Sequence, residues 1–146
     1  MQSGVNPYLR TRIMTASAEE LRLMLYDGAI RFCNQARTAL QNNDLENLYN
    51  GLTRAQKIVL ELSTSLNHQV LPELCSRLSS LYTYIYRLLV DANMQRKQEP
   101  IDEAIRLLQY ERETWQMLME KLADESGRPV DTGAQQTAMS SLSQSA

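Results

Sequence analysis

Residues 23–32 read LMLYDGAIRF. Its spacing is that of a helix, yet it is apolar on more sides than one buried face requires. It also holds Gly28 at its centre, where glycine costs about 1 kcal/mol relative to alanine in a helix interior. Placed on a helical wheel, Leu21, Leu25, Gly28, Phe32, Ala36 and Ala39 share one face. Leu23, Tyr26, Ile30 and Cys33 share an adjoining one, and the polar strip is reduced to Glu20, Asp27, Arg31, Asn34 and Thr38. A core-facing bundle helix needs an apolar stripe somewhat over about 100° wide. This one is roughly double that width. The first face is assigned to the core, with Gly28 as a structural residue that lets a neighbouring helix come close. The second is assigned to a partner, the alternative being that helix one packs centrally and buries both faces.

Outward from this segment the chain reads as helices. Ser17 followed by Glu20 forms a capping box, so the first helix begins there and runs to about residue 40. Asn42-Asn43-Asp44 breaks it, and Asp44 caps the next. Helix two, about 45–66, places Leu45, Leu48, Leu52, Ala55, Val59, Leu62 and Leu66 at alternating steps of three and four. Helix three, about 71–96, repeats the pattern at Leu71, Leu74, Leu78, Leu81, Ile85, Leu88 and Ala92. Pro100 suits the first turn of helix four, about 100–123, with Ile101, Ala104, Leu108, Trp115, Leu118 and Leu122 on its seam. The 3-4 spacing and short connections predict an all-α, antiparallel up-down four-helix bundle over 17–123. An N-terminal arm, 1–16, precedes it. The tail, 124–146, is rich in Ser, Gln, Gly and Thr; it buries too little apolar surface to offset its ordering entropy and is read as disordered.

Composition narrows the function. The chain has 146 residues with 43% hydrophobic and 22% charged, enough for one real core. With a net charge of −2 and no Lys/Arg stripe, nucleic acid is not an expected partner. No apolar run nears the ~20 residues that span a bilayer, and the N-terminus has no signal-peptide core, so a cytoplasmic location without membrane insertion is expected. Cys33 and Cys75 are widely spaced and read as free buried thiols. His68 is the one histidine and falls in a turn. No metal-ligand cluster and no phosphate loop are present in the pattern, and Cys33 with His68 has no third member to complete a catalytic set. Neither an enzyme nor a cofactor is expected. Glu111 and Arg112, which interrupt the fourth seam, read as charges at a bundle edge whose heads reach water.

The surplus apolar surface therefore points to binding. Besides Leu23, Tyr26 and Ile30, helix four carries a second stripe at Leu107, Tyr110 and Met117, and helix three adds Tyr82, Tyr86 and Leu89. In the arm, Tyr8, Leu9 and Met14 are too apolar for a free tail. They read either as a hydrophobic staple on the first helix or as a cover over the surplus groove. Such a bundle binds a partner through this surface or is a structural adaptor that self-associates through its grooves; without a partner it is expected to be a monomer or a weak homodimer. A third, weaker possibility is a ligand cavity under helix one.

The run NPYLRTRIMTASAEELRLMLYDGAIRF, residues 6–32, resembles the FliS family of flagellin-specific export chaperones. The similarity continues at AQKIVLELSTSLN (55–67), LYTYIYRLLVDAN (81–93) and LLQYERETW (107–115), in matching order over about 6–122. The polar tail is outside the family pattern. The resemblance implies a helical bundle that binds the C-terminal region of flagellin in the cytosol. It also implies that the bundle prevents premature polymerisation and aids delivery to export apparatus components. It further implies close helix packing at Gly28 and an arm that covers apolar surface until the client displaces it.

Overall fold

In the computed structural model, the residues described are 7, 8, 17–69 and 71–125. Four helices follow in order: α1 (Ala18–Gln41), α2 (Leu45–Thr64), α3 (Pro72–Gln95) and α4 (Glu99–Glu125). Each start has a local cause. Ser17 accepts from the Glu20 backbone N–H at 3.2 Å, and its own N–H donates to Glu20 Oε1 at 3.2 Å, the reciprocal capping box that fixes α1. Asp44 accepts from the Asn47 N–H at 3.2 Å and starts α2. The α1–α2 turn is closed by Asn43 in the left-handed region and by the Asp44 N–H donating to the Ala39 carbonyl at 2.7 Å. Arg96, also left-handed, ends α3, and its N–H bonds the Ala92 carbonyl. Pro100 lies in the first turn of α4, where its missing N–H costs nothing.

The start of α3 departs from the expected pattern. Leu71 is the residue before the helix rather than its first seam position, in the left-handed region with φ 52° and no side-chain cap. Pro72 follows at the head of the helix, and a leucine held at positive φ is uncommon because its Cβ crowds the following carbonyl. Helix α2 stops at Thr64, two residues short of expectation, because Ser65 caps it. Helix α4 runs to Glu125, so Asp124 and Glu125, assigned to the tail, are helical. The disorder expected of the rest of the tail lies outside the described residues.

The helices form a closed ring: α1 packs on α2 and α4, and α3 packs on α2 and α4. This is the up-down bundle, all-α among the described residues. Its core takes Leu48, Leu52, Ala55, Val59 and Leu62 from α2, Tyr82, Ile85, Leu89 and Ala92 from α3, and Ile101, Ala104, Ile105 and Leu108 from α4. The seams are buried in their middles and open at some ends: Leu45, Leu71, Leu74 and Leu118, all expected inside, are exposed. Ion pairs at 3.0 Å between Arg37 and Asp102 and at 2.5 Å between Arg112 and Asp27 join α1 to α4. Arg112 thus has a specific partner rather than only reaching water.

Candidate functional site

The apolar surplus of α1 resolves into a groove of about 700 Å³. Leu21, Met24, Leu25 and Gly28 of α1 make one wall, and Ile58 and Leu66 around the end of α2 make the floor. Leu71, Leu74, Cys75 and Leu78 of the α3 start form the other wall, and Trp115 of α4 closes one side. A Cβ on Gly28 would come 3.2 Å from Ile58 Cδ1, the far end of a side chain. Gly28 thus holds α1 close to α2 while keeping the groove clear.

The sequence reading of the two apolar faces of α1 holds for Gly28, Ala36 and Ala39, which are buried, but not for Tyr26, Leu21 and Leu25. Tyr26, assigned to the partner face, is 2% exposed and stands in the core beside Ala29, Cys33 and Ala36. Leu21 and Leu25, assigned to the core, line the groove instead. The physical reason is polar satisfaction plus size. The Tyr26 and Tyr82 hydroxyls hydrogen-bond at 2.5 Å, and Arg22 Nη1 donates to Tyr82 at 3.1 Å, so the phenols are accommodated inside. The residues that continue the same face are small enough for close helix approach. Burial raises both phenols above their ordinary pKa, Tyr82 more strongly.

The other expected partner residues scatter. Leu23 is half-buried against Met119 at the α1–α4 seam. Ile30 and Leu107 are half-buried against the main core. Tyr110 and Met117 are 65% and 67% exposed on α4, outside the groove. Tyr8 is exposed and is not among the residues lining the groove. Leu9 and Met14 lie outside the described residues. Met24, Ile58, Leu74 and Leu78 were not foreseen as groove residues. For Leu74 the available signal was its place at the first turn of a helix that follows a breaker-rich connection.

The titratable groups add little chemistry. Both cysteines are buried and neither is in a disulfide, and burial pushes the Cys33 thiol up to about 12. A thiol held protonated in this way is a poor nucleophile. His68 is exposed in the turn after α2. Burial also raises the Glu111 carboxyl above its ordinary value. Among the described residues, no group of three or more His, Cys, Asp or Glu is placed to hold a metal ion. Nor is any described helix long and apolar enough to cross a membrane.

Among the described residues, fold and site together define an all-α four-helix bundle with an apolar groove between α1, α2 and α3. Residues 1–122 match the family described as flagellar protein FliS. Over 95 residues, 65% of this chain and 70% of the relative, it is 37% identical to the flagellar secretion chaperone FliS of Bacillus subtilis. It is 33% identical to the flagellar secretion chaperone FliS of Campylobacter jejuni over 110 residues, 75% of this chain and 86% of that one. To the protein of that name from Salmonella typhimurium it is 30% identical over 131 residues, 86% of this chain and 97% of that one. The chain belongs to the FliS family of flagellar secretion chaperones.

Proposed function

We propose that this protein binds the C-terminal segment of flagellin in the cytosol, keeps it from polymerising early and helps deliver it to the flagellar export apparatus. The observation that carries this reading is the apolar groove, open in a chain of a chaperone family and lined by large side chains from three helices. An unassembled segment with an apolar face lays that face in the groove as a helix. Each large side chain it buries contributes about 1.5–3 kcal/mol before ordering costs. A client that orders on binding loses part of that gain, so tight binding needs more surface than one groove. The exposed strip of Tyr110 and Met117 on α4 supplies a second contact for a segment long enough to wrap round the bundle. Leu23, Ile30 and Leu107 lie half-buried outside the groove and serve the client at most at its margins. Titration calorimetry with the C-terminal segment of the host's flagellin is expected to give a 1:1 complex. Absence of heat and of any complex at tens of micromolar contradicts the reading.

A further inference from the structure

Arg22 touches all three other helical units at one end of the groove. From α1, its Nη1 donates to the Tyr82 hydroxyl of α3 at 3.1 Å, and its Nη2 donates to the Oγ of Ser65, the residue capping α2, at 2.8 Å. Its guanidinium carbon lies 5.5 Å from the ring centre of Trp115 on α4. Every one of these partners is neutral. Arg22 forms no ion pair with a described carboxylate; Asp27, which also lines the groove, is held by Arg112. Glu61 stands exposed on the groove margin, and Glu19, one turn before Arg22, is buried.

Two consequences follow from charge and geometry. An arginine has five N–H donors, and the two hydroxyls occupy two of them, leaving three for another acceptor. Arg22 is half-exposed and lines the groove, so water solvates its charge while the groove is open. An apolar segment laid over it would strip that water away. Burying a cation without a counter-charge is costly, whereas a carboxylate on guanidinium donors is a strong, geometrically exact pairing. The fixed contacts to Tyr82, Ser65 and Trp115 hold the fork in place, so less side-chain freedom is lost when the partner arrives.

We propose that Arg22 determines client specificity by pairing with a carboxylate of the bound segment, seated beside the apolar anchors. The inference rests on the reading of the groove as the flagellin site. The carboxylate comes from an Asp or Glu side chain of the segment or from its chain terminus. Covering Arg22 then rewards a segment that carries an acid at the right distance from its apolar face and penalises one that lacks it.

The test is a double-mutant cycle by calorimetry, with the full chain and the C-terminal segment of the host's flagellin. The chain is used as parent, Arg22→Gln and Arg22→Lys. The segment is used unmodified, amidated at its C-terminus, or with its Asp and Glu residues changed to Asn and Gln. Arg22→Gln is expected to weaken binding of the unmodified segment by about tenfold or more, and Arg22→Lys to recover part of the loss. One of the two neutralised segments is expected to bind the parent about tenfold more weakly, yet to bind Arg22→Gln as the unmodified segment does. That segment identifies the source of the carboxylate. A purely structural Arg22 would lower affinity for every segment by the same factor, which overturns the proposal. So does equal binding of all three segments by the parent, a measurement that stands even if Arg22→Gln does not fold. A parent that binds no segment at all overturns the reading of the groove itself, and this inference with it.

Discussion

The two halves of α1 treat the same excess of apolar residues in opposite ways. From Ala29 to Ala39 its buried residues are small, Ala29, Cys33, Ala36 and Ala39. Here α2 presents Gly51, where an added Cβ would lie 3.0 Å from the Phe32 carbonyl oxygen and 3.1 Å from the Ala36 Cβ. The helices are in contact through their backbones. From Ala18 to Gly28 the apolar residues are mostly large, α2 comes to its end, and Leu21, Met24 and Leu25 are left along a groove. Small residues draw helices together; large ones facing a helix end remain half-covered. The groove is therefore a product of where the partner helix stops as much as of hydrophobicity.

The glycines break or sharpen this contrast most strongly. At Gly51 the obstruction is backbone, which can give way only if α1 moves. Gly51→Ala is expected to cost about 1–3 kcal/mol of stability despite a better helix propensity. At Gly28 the obstruction is the terminal methyl of Ile58, which can swing into the groove. Gly28→Ala is expected to change stability by less than about 1 kcal/mol, since the propensity gain offsets the crowding. Urea unfolding of the two variants decides it, and equal losses would mean that the two ends of the α1–α2 contact are packed alike.

A second effect belongs to the tightly packed half. Burial pushes the Cys33 thiol to about 12 from an ordinary 9.0. The folded-state value lies above the unfolded one, so the neutral thiol's contribution is complete below about pH 9. It is lost as the pH rises from there toward about 12. Tyr26 and Tyr82, raised from 10.0 by burial, add to the loss at higher pH. The urea midpoint is expected to fall between pH 8 and pH 11, and to fall less steeply in Cys33→Ala. A midpoint independent of pH would contradict the burial of these groups. The smallest effect is expected from the Asp27–Arg112 pair, whose side chains are 50% and 32% exposed. Arg112→Gln should cost only about 0.2–1 kcal/mol in the same assay.

The fold was legible in the residues because its signals are local. The Ser17–Glu20 box, Asp44 and Pro100 mark helix starts, and the 3-4 steps of Leu48, Leu52, Ala55, Val59 and Leu62 define a face without reference to any other part of the chain. The family resemblance was legible for the same reason, in residues 6–32. The site was not, because choosing between two apolar faces of α1 depends on what stands opposite. Tyr26 looks as fit for a surface as for a core until Tyr82, distant in sequence, supplies a partner for its hydroxyl and itself accepts from Arg22. Leu71 and Leu74 follow the seam pattern perfectly, yet they are uncovered, since the left-handed turn at Leu71 and the end of α2 remove the surface they would pack on.

The central claim is that the client lies between α1 and the start of α3. Leu74, 44% exposed, lines that groove, whereas Met94, 77% exposed near the other end of the same helix, does not. The most direct measurement is the affinity of the host flagellin's C-terminal segment for Leu74→Glu and Met94→Glu, with circular dichroism and melting temperature recorded for both. A carboxylate forced under an apolar client carries a desolvation cost. The account predicts that Leu74→Glu loses about tenfold or more in affinity with its helicity intact, while Met94→Glu binds as the parent does. Parental affinity in Leu74→Glu, or equal losses in the two folded variants, would contradict it.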